Sequence, residues 1–170
     1  MSLDLNTLDS LLRTFSERPQ ALNLDSQLAE LMRALVSCRF DHLPLPGQGQ
    51  TLHRWQTLAH VAGCDLALAK LYEGHTDALA ILSECDATHL LGEAVWGVWA
   101  AEPPDARTRI VACDGDNVRL TGRKAWCSGA LQIDRALITA WTDDEQPQFC
   151  LLYTSPSPRD LSTSRMPSSA

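Results

Sequence analysis

The spacing of apolar positions divides the chain in two. Leu5, Leu8, Leu11, Leu12 and Phe15 recur every three or four residues, which predicts an amphipathic helix, with Pro19 as its breaker. A second helix is expected from about Asp25, a candidate N-cap, with Leu28, Leu31, Met32, Leu35 and Val36 on its apolar face. The segment Leu43–Gln50 (LPLPGQGQ) breaks the period and reads as an ordered loop, because helical spacing resumes at once. A third helix is expected over Leu52–Tyr72, with a buried stripe of Trp55, Leu58, Ala59, Ala62, Leu66 and Ala69. The small residues in that stripe suit close helix–helix approach. Gly74 is read as an interruption, followed by a fourth helix over His75–Glu84 and one further turn at Ala87–Leu91.

From Gly92 the period changes to that of strands. Val95, Val98 and Trp99 lie in a short apolar run that ends at Glu102-Pro103-Pro104. Arg109–Cys113 and Asn117–Thr121 flank Asp114-Gly115-Asp116, a hairpin signal, since glycine supplies the positive-φ turn. Lys124–Ser128 and Arg135–Trp141 read as further strands. Helices followed by antiparallel strands define an α+β order. It divides into a helical domain over residues 1–91 and a β domain over 92–149, and no internal repeat is visible.

Composition changes abruptly at Phe149/Cys150. Residues 150–170 are dominated by Ser, Thr, Pro and Arg and hold no glycine. Read back into codons, CLLYTSPSPRD fits the end of a common transposon-based sequencing adaptor. Leu161, Ser162 and Thr163 fit a sample index, and Ser164–Ala170 fits the adaptor's priming end. Residues 150–170 are therefore expected to be translated adaptor and disordered, with the natural chain departing after Phe149. A genuine disordered tail is the alternative, since its composition would look the same.

The formal net charge of −7 over 170 residues argues against a nucleic-acid or anionic-membrane partner, which would require a basic face. No apolar run approaches the roughly 20 residues that span a bilayer. The acidic, amphipathic start MSLDLNTLDSLL does not read as a secretory signal. Cys38, Cys64, Cys85, Cys113, Cys127 and Cys150 form no CxxC pair and no Cys/His spacing, so neither a disulfide framework nor a metal site is expected. Reduced thiols in a cytoplasmic protein are the expectation.

Signals of chemistry are sparse. No Ser-His-Asp arrangement, phosphate-cradling glycine loop or HExxH is present. His42, His53, His60, His75 and His89 are scattered and read as surface or capping residues. Glu73-Gly74-His75 with Asp77 reads as capping at a helix start. Trp96, Trp99, Trp126 and Trp141 crowd the strand region, where tryptophan is first of all sheet core. The functional reading is an aromatic wall for a planar ligand such as a flavin. Trp126 and Ser128 are its best carriers, because they would lie on one side of a strand.

Three stretches resemble the acyl-CoA dehydrogenase family. Asp65–Leu82 (DLALAKLYEGHTDALAIL) is similar to the helix pair that closes the family's N-terminal domain. Trp96–Pro104 (WGVWAAEPP) is similar to its first middle-domain strand, which usually ends in Thr-Glu-Pro. Val118–Trp141 is similar to its G-x-K-x-W-I-T-N-G stretch and the following strand. The resemblance implies a helical domain followed by an incomplete antiparallel β-barrel-like domain, with FAD as cofactor. It implies removal of the α and β hydrogens of an acyl-CoA thioester, an electron-transfer partner and a homo-oligomeric full-length protein. Trp126 matches the tryptophan that packs on the flavin, and Ser128 the hydroxyl residue near its N5. Ala100 and Ala101 match positions that contact the ring, and Glu73 matches the helix bordering the acyl pocket. Ala101 lacks the family's hydroxyl, a hydrogen bond of about 1 kcal/mol. The family's glutamate base falls in a C-terminal domain outside this chain, so no catalytic residue is assigned and the chain itself is expected to be inactive. Pro104-Asp105-Ala106-Arg107 replaces the family's Gly-x-Gly-Ser-Asp, which bears on thioester specificity. A flavin monooxygenase of the same fold and a non-catalytic helical binding module are the alternatives.

Overall fold

The leucine spacing that opens the chain folds as α1 (Leu5–Ser16), with Leu8, Leu12 and Phe15 buried. A computed structural model describes residues 5–17, 24–153 and 163–165. Pro19 and positions 154–162 and 166–170 of the expected tail lie outside the described residues. Helix α2 (Leu24–Ser37) puts Leu28, Leu31, Met32 and Leu35 into the core. It begins at Leu24, so Asp25 stands within its first turn and not at the cap. Leu43–Gln50 is loop, as its prolines and glycines require.

The third expected helix is two. Helix α3 (Thr51–Cys64) stops at Asp65, whose backbone is extended at φ −158° and ψ 132°. The Asp65 carboxylate accepts from the Leu68 amide at 2.7 Å and caps α4 (Leu66–Glu84). Helix α4 then runs through Gly74 without interruption, with Gly74 facing the backbone of Val98. His75 and Asp77 therefore lie mid-helix and cap nothing. The apolar stripe expected on the third helix is also misplaced: Trp55 is 64% and Leu66 77% exposed. Arg54, Thr57 and Val61 face inward instead. Arg54 can be buried because Asp77 accepts from it at 2.8 Å and the Pro44 carbonyl at 3.3 Å. A charge paired in this way escapes most of the cost of leaving water. A short 3-10 turn at Thr88–Leu90 follows, as expected.

Among the described residues, six strands follow: β1 (Trp96–Trp99), β2 (Thr108–Asp114), β3 (Asn117–Gly122), β4 (Arg135–Trp141), β5 (Pro147–Tyr153) and β6 (Thr163–Arg165). The hairpin β2–β3 turns at Gly115, whose φ is 57°. Strand β4 pairs antiparallel with β5 along its whole length and parallel with β1. The class is α+β, and the sheet is mixed because β1 reaches β4 by crossing over instead of turning back. It stays open: among the described residues, β2 meets β4 at the single pair Arg109/Trp141 and β3 meets β6 at the single pair Asn117/Ser164. Lys124–Ser128 is not a strand; it belongs to a looped segment between β3 and β4.

Strand β5 crosses the compositional seam. Cys150 and Leu151 are fully buried, and Leu151 and Leu152 pair with Leu137 and Ala136. The disorder expected from Cys150 thus does not hold for Cys150–Tyr153. These residues are apolar, and they supply the partner that the buried strand β4 needs.

Helix α4 joins helices to sheet. Its first half (Leu68, Leu71, Tyr72) packs in a cluster with Leu8, Met32, Val61, Val95, Trp99 and Ile138. Its second half (Ala78, Leu82) packs with Trp96, Leu137 and Leu151. Each such buried leucine stabilises the fold by about 1.5–3 kcal/mol. Trp96 and Trp99 are sheet core, at 1% and 7% exposure.

Candidate functional site

Strand β1 delivers Ala100 and Ala101 to one side of a cavity of about 180 Å³. The loop after β3 delivers Trp126 and Ser128 to the same cavity, and Lys70, Leu71 and Gly74 of α4 line its floor. Every residue expected to touch a flavin therefore lines one space. Glu73 does not line it. Its carboxylate accepts from Lys70 Nζ at 2.6 Å, and it is Lys70 that borders the cavity.

Local backbone sets the geometry of the Trp126 wall. Trp126 has φ 56° and is 68% exposed. The left-handed region is a genuine outlier for a bulky residue. The Ser128 amide donates to the Trp126 carbonyl at 2.9 Å, and Trp99 Nε1 donates to the Ser128 carbonyl at 3.1 Å. Gly129 follows at φ 73°, where an added Cβ would lie 2.2 Å from Leu71 Cδ2. Its left-handed backbone favours glycine, and the missing Cβ leaves the space that the Leu71 side chain of α4 fills.

Behind the cavity lies a polar knot. Lys124 Nζ donates to Glu102 Oε1 at 2.9 Å, to the Thr139 carbonyl at 3.0 Å and to Thr139 Oγ1 at 2.5 Å. Thr139 Oγ1 in turn donates to the Ala100 carbonyl at 3.0 Å. Trp141 Nε1 donates to Glu102 Oε2. Burial pushes the Glu102 carboxyl up, but the bonds from Trp141 and Lys124 and the nearby charges of Lys124 and Arg107 outweigh it. The group ends below the ordinary glutamate value. Burial raises the Cys127 thiol, with Lys124 opposing, which favours its protonated form.

A second polar cluster lies on the far side of α4. His75 is 1% exposed; its Nδ1 accepts from the Trp96 amide at 3.0 Å, and its Nε2 faces Asp41 Oδ2 at 3.2 Å. Tyr72 donates its hydroxyl to the Phe40 carbonyl. Burial and the Asp41 charge hold the Tyr72 phenol far above its ordinary value. The hydropathy pattern hides this cluster, because its members come from separate parts of the chain.

Cysteines 38, 64, 85, 113, 127 and 150 are all free thiols. No helix among the described residues is long and apolar enough to cross a membrane.

No family model matches the chain, and no curated protein matches it. Among solved structures it is similar to a variant of the Tcur3481-Tcur3483 steroid ACAD, an acyl-CoA dehydrogenase, at 16% identity and a TM-score of 0.40. The match covers 95% of this chain and 54% of that one, so the chain spans about half the length of its neighbour.

Proposed function

We propose that this chain forms one wall of a flavin site in an acyl-CoA dehydrogenase-like oxidoreductase that removes hydrogens from an acyl thioester. One observation carries the reading. Ala100, Ala101, Trp126 and Ser128, drawn from two separate segments, line a single cavity.

The residues suit a planar ring. The exposed indole of Trp126 offers a stacking face. Both backbone groups of Ser128 are engaged, while its hydroxyl makes no bond among the described residues. The methyl side chains of Ala100 and Ala101 leave the backbone open to close approach. At about 180 Å³ the cavity is smaller than the 300–1,000 Å³ usual for a ligand pocket, so it covers one part of a ring system. The rest of the flavin would be covered by protein outside this wall. FAD would supply a hydride acceptor there, and no residue of this chain is assigned as the base.

The test is a titration of the chain with FAD, followed by flavin anisotropy and repeated on Trp126→Leu. Weak binding, in a range of about 1 µM to 1 mM, is expected, with at least a tenfold loss in the variant, about 1.4 kcal/mol. Flavin binding that ignores Trp126, or none at millimolar FAD, sinks the reading.

A further inference from the structure

We infer that Lys124 is a positioning residue, which holds the Trp126 indole at the cavity mouth by tying its loop to the Ala100–Glu102 wall. The ligand arm of the test rests on the flavin reading above; the positioning itself does not.

A tryptophan at positive φ costs about 1–3 kcal/mol and persists only where its flanks over-determine it. Trp126 is mostly exposed, so its own burial offers little to offset that cost. The flanks must therefore be fixed. On the C-terminal side they are held by the Ser128–Trp126 and Trp99–Ser128 bonds and by Gly129 against Leu71. On the N-terminal side the anchor is Lys124, two residues before Trp126.

The anchor is complete. The Lys124 side chain is 9% exposed, and an ammonium has three donors. All of them are used, on Glu102 after β1 and on the backbone and side chain of Thr139 in β4. Thr139 passes the connection to the Ala100 carbonyl. One ammonium thus fixes the relative position of both walls, Ala100–Ala101 and Trp126–Ser128. Lys124 does not itself line the cavity, so its effect on a ligand is exerted through Trp126.

The experiment uses the full chain, labelled with 15N at the indole nitrogens. Trp126→Phe assigns the Trp126 resonance. Trp96, whose Nε1 donates to the Leu91 carbonyl at 3.1 Å away from the knot, reports on the fold. The test variant is Lys124→Met with Glu102→Gln, which removes both charges and leaves no buried ion unpaired. The wild-type Trp126 indole is expected to be rigid, with an order parameter of about 0.85, falling below about 0.6 in the double variant while Trp96 is unchanged. FAD affinity should fall about tenfold in parallel. A mobile Trp126 in the wild type, or an equally rigid one in the double variant, overturns the inference. Should the double variant lose its Trp96 signal, Thr139→Val decides the matter. It removes one acceptor and is expected to loosen Trp126 partly, and an unchanged order parameter overturns the inference. A chain that loosens as expected but takes no FAD in the wild type overturns the flavin reading alone.

Discussion

His75 stands between Asp41 and the amide of Trp96, buried, with one ring nitrogen committed to each. Because Nδ1 accepts a backbone N–H, it carries no proton, and the Nε2–H must be the group that donates to Asp41. The imidazole therefore ties the loop after α2 to α4 and to the first residue of β1. His75→Leu would leave both the Asp41 carboxylate and the Trp96 amide without their partner. The expected loss is about 2–5 kcal/mol, the cost of a buried carboxylate and a buried amide each left without a hydrogen bond. Asp41→Asn keeps an acceptor for Nε2 and should cost at most about 1–2 kcal/mol. Urea unfolding of the two variants measures this asymmetry; equal losses would mean that the bridge contributes nothing special.

Much of the helical half was legible because its rule is local. Leu8, Leu12 and Phe15 are buried as their spacing predicts, and β4 has the bounds its apolar run implied. The misreadings share one cause: the deciding partner lies far along the chain. Arg54 turns inward only because Asp77 is there to accept from it, and that rotation carries Trp55 out to solvent. His75 looked like a capping residue because Asp41 lies 34 positions away. Lys124–Ser128 alternates like a strand, but positive φ at a tryptophan leaves no mark in composition. The cavity residues were legible through resemblance; Lys124 and Glu102 fall within the same stretches, but the bond between them, 22 positions apart, was not legible.

Strand β5 makes a prediction about the tail. Deleting residues 150–170 removes the fully buried Cys150 and Leu151 and strips partners from Arg135, Ala136, Leu137 and Ile138. Deleting 154–170 spares them. The longer deletion is expected to cost at least about 2–3 kcal/mol more, the value of a fully buried leucine plus its neighbour. Equal melting temperatures for the two deletions would contradict a structural role for Cys150–Tyr153. The adaptor origin we propose for 150–170 is a separate matter, since a strand accepts apolar residues of any origin. Resequencing the source DNA across the Phe149 and Cys150 codons tests it, and a genomic frame through Ala170 would refute it.

Gly129 and Gly47 share a left-handed backbone, at φ 73° and 76°, but not a surrounding. Nothing lies within 4 Å of a Cβ built on Gly47, so Gly47→Ala is expected to cost only the backbone strain, about 1 kcal/mol. Gly129→Ala adds a clash with Leu71 Cδ2, and its cost should exceed that of Gly47→Ala by about 1–3 kcal/mol. Thermal unfolding of the two variants separates strain from packing. A Gly129→Ala protein as stable as Gly47→Ala would mean that the loop does not press on α4.

Glu102 makes stability depend on pH in a defined direction. Its folded value lies below the ordinary one, because bonds from Trp141 and Lys124 favour the carboxylate more than burial opposes it. A depressed carboxyl contributes stability above its unfolded value, about 4.3, and loses it as pH falls through the folded value. Wild-type stability should therefore drop as pH is lowered from neutrality through the acid range. Glu102→Gln should be less stable than wild type at pH 7, and the gap should close as the wild-type carboxylate takes up its proton. Asp9 and Glu145 also have lowered values, but they are solvent-exposed and present in both proteins, so the difference between the two isolates Glu102. Urea midpoints compared at neutral and acid pH give the answer. A gap that stays constant would show that the Lys124–Glu102–Trp141 contact does not stabilise the charged form.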